Sequence, residues 1–265
     1  MTLLQRIGAS HLALCLILIF PMLCYIGDLN IVPESYFSDK HNFFNQYFVK
    51  VAWGWTLGVL TPFIILAGCI LWKDYPLLIV RDLSRLVVAT LVWFVWVSMF
   101  NYIEYLTGSC STAGYNGKKL CLQAGHNWDG FDISGHSFIL MFSALVIHEE
   151  LQAFWVVTNL SGSSAWFQSI SAKAKQIFGV SSPANESMKK FAELMARLEP
   201  LLNIFAVIAV LIEVMWLFML VWTSLYFHSA VDKILGGAIA IFNWLVTYRL
   251  WYRSTMSPGL PGKLV

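Results

Sequence analysis

Apolar residues in this chain gather into long runs, each bounded by shorter polar stretches. Six runs, at about 11–27, 51–72, 86–106, 134–156, 201–227 and 234–252, come close to the roughly 20 residues a helix needs to cross hydrocarbon. The pattern predicts an all-α polytopic membrane protein, one six-span transmembrane domain covering 1–265. The first run reads as an uncleaved signal anchor, because Arg6 precedes it and no small-residue cleavage site follows. Pro21 should kink that helix.

The long polar connection at 160–200 has a different rhythm. Within "NESMKKFAELMARLEP", Met188, Phe191, Leu194, Met195 and Leu198 recur at helical spacing with basic residues between them. The spacing predicts an amphipathic helix, either lying on the cytosolic membrane surface or packed against that end of the bundle.

Composition supports a membrane location and adds an orientation. Of 265 residues, 58% are hydrophobic and 12% charged, where soluble domains carry about 25% charged residues. A net charge of +2 gives no reason to expect a nucleic-acid partner. With the runs alternating across the membrane, Lys40, Lys50, Lys118, Lys119 and Lys233 fall on one side and the other twelve Lys and Arg on the opposite side. The positive-inside rule then places both ends in the cytosol and the loops 28–50, 107–133 and 228–233 in the lumen. Glycosylation sequons at Asn159 and Asn185 fall on the cytosolic side and are expected to stay unmodified. Cys15, Cys24 and Cys69 lie inside apolar runs and read as small hydrophobes. Cys110 and Cys121 bracket "CSTAGYNGKKLC", a spacing that leaves a disulfide and two free thiols equally open.

In this orientation His136 opens the fourth span at the lumen and His228 closes the fifth at the same face. Asp132 precedes His136 by four residues and Asp232 follows His228 by four, a separation that puts side chains on one helical face. A carboxylate on one ring nitrogen fixes the tautomer and frees the other nitrogen to act as nucleophile or base. Ser134 is the expected N-cap of the fourth span, and with Gly135 it offers helix-terminal amides to an anion. Together these residues fit a phosphoryl-transfer site. Interfacial histidines with purely polar roles are the plain alternative, and zinc-type ligand spacing is absent. Glu149 and Glu150 are expected to reach the cytosolic interface; inside the bilayer they would count as functional candidates.

Several stretches carry a family resemblance. "PESYFSDKHNFFNQYFVKVAWGWT", "IEYLTGSC", "GFDISGHSF", "YFH" and the terminal "SPGLP" resemble the fat storage-inducing transmembrane (FIT) family, in order from about residue 32 to 261. The resemblance implies six spans in the endoplasmic reticulum, cytosolic termini and a role in lipid droplet formation and membrane lipid homeostasis. FIT proteins are in turn similar to lipid phosphate phosphatases. Ile133-Ser134-Gly135-His136 resembles that superfamily's Pro-Ser-Gly-His motif, and His228 with Asp232 resembles its Arg-x5-His-x3-Asp motif. Trp222 stands where that motif has Arg, and the Lys-x6-Arg-Pro motif has no counterpart, so the cationic phosphate clamp is missing.

The activity implied is cleavage of the diphosphate of fatty acyl-CoA to acyl 4′-phosphopantetheine and adenosine 3′,5′-bisphosphate, with no cofactor. Carried onto this chain, His228 attacks phosphorus, Asp232 orients its ring and His136 handles the proton. Ser134, Gly135, Lys233, Asp132 and the loop lysines would bind substrate. A different class of function fits the same resemblance: a non-enzymatic protein that binds diacylglycerol or triacylglycerol and partitions it into droplets. A scaffold acting through 160–200 is a third reading.

Overall fold

The computed structural model describes residues 8–72, 75–112, 114, 117–159 and 183–263, with the backbone alone for 183–190 and 192. Arg6, Lys73, Lys173 and Lys175 lie outside the described residues, as do the side chains of Met188 and Asn185. In chain order the elements are α1 (Ala9–Asp28), α2 (Phe43–Tyr47), α3 (Ala52–Leu71), α4 (Leu77–Thr107), β1 (Ser109–Cys110), α5 (Lys118–Gln123), β2 (Trp128–Asp129), α6 (Gly135–Glu150), α7 (Pro183–Tyr226) and α8 (Ala230–Trp244). Six helical segments among the described residues are long and apolar enough to cross a membrane, α6 continuing to Asn159 and α8 to Arg253. The protein is a multi-pass membrane protein.

Every residue of α6 from Ser137 to Glu150 is buried. Its span is 78% buried, against 17–39% for the other five, so α6 is the central post of the bundle. The helices α8, α7 and α3 pack around it most closely. The outer faces of the bundle expose Leu14 and Leu18 on α1, Phe94 on α4, Leu211 on α7 and Phe242 on α8, as surfaces solvated by lipid require. Buried indoles find hydroxyl partners between helices: Trp216 donates to Thr56 at 3.1 Å and Trp53 to Thr90 at 3.1 Å.

Three expectations about the end of the bundle away from the two histidines are decided by the structure. First, α4 starts at Leu77 rather than near 86, because Arg81, Asp82 and Arg85 belong to the helix. Second, of the two placements open to the amphipathic stretch, packing against the bundle is the one found, and α7 runs unbroken from Pro183 through Pro200 as an extension of the fifth span. Its stripe packs inward: Met195 is buried, and Phe191 and Leu198 lie against the core.

Third, Glu149 and Glu150 do not reach an interface. Arg85 grips Glu150 with two hydrogen bonds of 2.8 Å and Asp82 with a third of 2.8 Å, while the Tyr248 hydroxyl donates to Glu150 at 2.9 Å. Glu149 takes Arg249 at 2.6 Å and the Trp244 indole at 3.0 Å. These partners come from α4, α8 and the π-helical turn Leu245–Leu250, far from α6 in sequence. Charge patterning along one helix therefore gives no hint of them. A charge pair this deep persists only when paired and hydrogen-bonded throughout.

Candidate active site

The opposite end of α6 is built from three converging chain segments. A small hairpin, with Ser109 opposite Asp129 and Cys110 opposite Trp128, folds over the end of α4. A Cys110–Cys121 disulfide closes its loop. Trp128 donates to the Glu104 carbonyl at 3.2 Å, and the Phe131 amide donates to Thr107 at 2.9 Å. That docking delivers Asp132 to the mouth of the bundle.

Next, Ser134 caps α6, its hydroxyl accepting from the Ser137 amide at 3.3 Å and the Ser137 hydroxyl at 3.0 Å. The Ser134 amide donates to the Asp232 carbonyl at 3.2 Å, tying the start of α6 to the first turn of α8. The two backbones meet so closely at Gly236 that any side chain there would strike the Ser134 carbonyl. The first-turn amides of Gly135 and His136 have no carbonyl four residues back within the helix to accept them.

The third segment is the tight turn between α7 and α8. His228 occupies it with φ +54, a left-handed conformation that glycine adopts freely and other residues only at some cost. The turn is pinned from behind. Asp28 accepts from the Ala230 amide at 2.8 Å, and Tyr226 donates to the Pro33 carbonyl at 2.8 Å. Glycine again permits a close crossing here, since Gly27 sits directly against the carbonyls of Ser224 and Leu225. The turn places His228 in the same cavities as His136 at the start of α6.

Nδ1 of His228 lies 3.2 Å from Oδ2 of Asp132. The two motifs are therefore crossed: the carboxylate beside His228 comes from the stretch before His136. Asp232 has another task, its carboxylate accepting from the Ser229 hydroxyl at 2.7 Å where Ser229 caps α8. With the proton on Nδ1 and shared with Asp132, Nε2 of His228 keeps its lone pair. The hydrogen bond from His228 is the largest influence on Asp132 and holds its carboxyl below the ordinary carboxylate range, against a smaller opposing effect of burial.

Two cavities meet at this point. Asp132, His136, His228 and Lys50 line both of them. One, about 440 Å³, is polar on its far wall, with Lys40, His41, Asn45 and Gln46. The other, about 640 Å³, runs between helices past Trp53, Leu57, Trp93 and Val97. The histidines thus stand where an apolar slot opens into a basic, water-facing chamber. Such a junction suits an amphiphile with an anionic headgroup.

Other expected ligands are placed elsewhere. Ser134 is fully buried in its cap and lines neither cavity. Lys233 is also buried, donating to the Ser224 carbonyl at 2.8 Å and lying 3.4 Å from Asp28. Lys118 pairs with Glu104 at 2.5 Å. Trp222 stacks on Phe37 and on Tyr226, with ring centroids 4.7 Å and 5.8 Å apart. Gly135 does line the apolar slot. Among the described residues no three His, Cys, Asp or Glu side chains are grouped to hold a metal ion.

The model of one family, described as fat storage-inducing transmembrane protein, matches residues 33–104 and 108–248. The chain belongs to the FIT family. Its similar relatives include "Acyl-coenzyme A diphosphatase FITM2" of Drosophila melanogaster, 38% identical over 241 residues, which are 89% of this chain and 57% of that protein. The protein of the same name from Danio rerio is 38% identical over 264 residues, 97% of this chain and 88% of the relative. That from Homo sapiens is 34% identical over 244 residues, 89% and 80% of the two chains. This FIT chain thus spans little more than half of the Drosophila relative and most of the other two. No solved structure matches it. Of the loop lysines expected to stand in for the phosphatase clamp of this FIT chain, Lys50 is the one that lines both cavities. It sits one turn before α3, and nothing in its spacing from either histidine marks it.

Proposed function

We propose that this chain is an acyl-CoA diphosphatase of the endoplasmic reticulum membrane, with its active site in the lumen and both termini in the cytosol. The observation that carries the reading is the Asp132–His228 pair beside His136, where an apolar slot meets a basic chamber. The asymmetric Lys and Arg distribution supports the orientation. The Cys110–Cys121 disulfide on the histidine side supports an oxidising compartment there.

In this reading the acyl-pantetheine arm lies in the slot and the diphosphate sits beside Lys50 and the Gly135–His136 amides. Nε2 of His228 attacks one phosphorus, and the bridging P–O bond breaks. His136 gives its proton to the departing phosphate and then takes one from water. The resulting hydroxide opens the phosphohistidine and restores His228. One water is consumed, and acyl 4′-phosphopantetheine and adenosine 3′,5′-bisphosphate are released. Asp132 holds the His228 ring and stabilises the charge that forms on it.

Storage and partitioning of diacylglycerol or triacylglycerol is a second reading, favoured by the size and apolar walls of the slot. The two separate cleanly. Purified protein incubated with oleoyl-CoA should release adenosine 3′,5′-bisphosphate, detected by mass spectrometry. His136→Ala and His228→Ala should each lose at least about 10³-fold in rate while keeping the wild-type size-exclusion profile. Release of nothing by folded wild-type protein, or equal release by all three, would leave the lipid-partitioning reading in its place.

A further inference from the structure

The basic chamber extends past the catalytic junction. Lys50 lines both cavities and donates to Gln46 at 2.8 Å, which keeps it at the histidines. Lys40 and His41 line the polar chamber and not the slot. Their backbone is fixed rather than loose. The Lys40 carbonyl accepts from Asn45 at 2.7 Å and from Gln46 at 3.0 Å, and the His41 amide donates to Asp39 at 2.8 Å. Among the described residues the Lys40 ammonium meets no carboxylate. The acidic group on the chamber wall, Asp132, is already engaged by His228. His41 stands beside an exposed acid, its Nδ1 3.4 Å from Oδ1 of Asp39, and offers a ring N–H, so the positive charge beyond the one that the diphosphate needs is that of Lys40.

We propose that Lys40 and His41 form a subsite for the ribose 3′-phosphate of the coenzyme A headgroup. The inference rests on the diphosphatase reading above and extends it to substrate choice. Coenzyme A carries its diphosphate on the ribose 5′ carbon and a separate phosphate monoester on the 3′ carbon of the same ring. With the acyl arm in the slot and the diphosphate at Lys50, the nucleotide must enter the polar chamber. Its 3′-phosphate, close to a dianion, then meets Lys40 as counter-charge and His41 as a hydrogen-bond donor. The chamber's volume of about 440 Å³ is in the range of small-molecule sites. A glycerolipid phosphate placed on the same histidines has no second anion to offer there. The subsite would thus select nucleotide-linked acyl chains over the lipid phosphates cleaved by proteins with a simple cationic clamp.

The test compares oleoyl-CoA with oleoyl-dephospho-CoA, which differs only in lacking the 3′-phosphate, using purified full-length protein in detergent. Wild type should favour oleoyl-CoA by about tenfold in kcat/KM, carried mainly by KM, as expected for a charge-assisted contact made in both ground and transition states. In Lys40→Ala, and further in the Lys40→Ala/His41→Ala double variant, that ratio should fall toward one. Lys40→Arg should restore it. Lys50→Ala should lower kcat/KM for both substrates and leave the ratio in place. Lys40 and His41 are exposed, so their replacement does not threaten the fold. A wild-type ratio near one would overturn the subsite while leaving the diphosphatase reading intact, as would a ratio unchanged in Lys40→Ala. Failure of wild type to cleave either substrate would defeat the underlying reading as well.

Discussion

At its first turn α6 presents His136 beside His228 and Asp132, at the junction of two open cavities. About 20 Å further along the same helix, Glu149 and Glu150 are sealed from solvent and met by Arg85, Arg249, Trp244 and Tyr248. Both ends gather ionisable side chains in a membrane bundle, and they do so to different ends. At the closed end each carboxylate is matched by a cation and by further donors. At the open end the Asp132 side chain is more than half exposed, the His228 backbone is strained, and Lys40 and Lys50 line a cavity. Intramembrane charge is a default marker of function, but the number of satisfied partners decides which kind. Full pairing marks architecture, and incomplete pairing beside a cavity marks chemistry.

The closed end gives the largest expected effect. Arg85→Ala leaves Glu150 and Asp82 facing each other without their shared cation, a change that should cost about 3–5 kcal/mol of stability. Thermal unfolding in detergent would measure it. Glu150→Gln keeps an acceptor for Arg85 and Tyr248 and should cost less. Per folded molecule, neither change should alter oleoyl-CoA hydrolysis. Loss of turnover in well-folded Glu150→Gln protein would break the division between the two ends.

At the open end the pattern should reverse. Asp132→Asn keeps the size of the side chain but no longer fixes the His228 tautomer or balances its developing charge. A loss of about 100-fold in kcat is expected, with little change in unfolding temperature. Asp132 titrates below its ordinary value because His228 donates to it. Its contribution is therefore fully present above about pH 4 and disappears only as pH falls through the lower, folded-state value. A fall in wild-type kcat between pH 7 and 5 must then come from another group, and the ratio of wild type to Asp132→Asn should stay nearly flat across that window where the Asp132 charge is concerned. Asp232→Asn should do far less to kcat, since that carboxylate sits on Ser229. Equal losses from Asp132→Asn and Asp232→Asn would count against the crossed arrangement.

Long-range pairing explains what the sequence concealed. The six spans were legible because each is a local property of about 20 residues. Both histidines were legible because they flank spans and share a membrane face. The partner of His228 was not. A spacing of four suggested Asp232, yet α8 begins at Ala230 and its cap Ser229 claims that carboxylate. Asp132 arrives instead through the hairpin, across almost a hundred residues. The loop lysines were legible as a group of candidate donors but Lys40 and Lys50 could not be singled out among them, because a cavity wall built by a loop has no periodic signature. Lys233 looked like a phosphate ligand from its place near His228, but one helical turn carries it under the surface to Asp28.

The smallest expected effect concerns the turn that holds His228. Its φ of +54 is left-handed, and the Cβ of any residue but glycine meets resistance there. Both His228→Gly and His228→Ala remove the imidazole and its contact with Asp132, so comparing the two isolates the backbone. The glycine variant should be more stable by about 1 kcal/mol, after allowing for the extra freedom glycine gains when unfolded. Both should be inactive toward oleoyl-CoA. That combination would mean the chain accepts a strained turn in order to keep an imidazole at the bundle mouth, the reverse of Arg85, which secures the fold at the other end. Equal stability of the two variants would mean the α7–α8 turn relaxes without its histidine, with Asp132 and not the backbone conformation holding the ring in place.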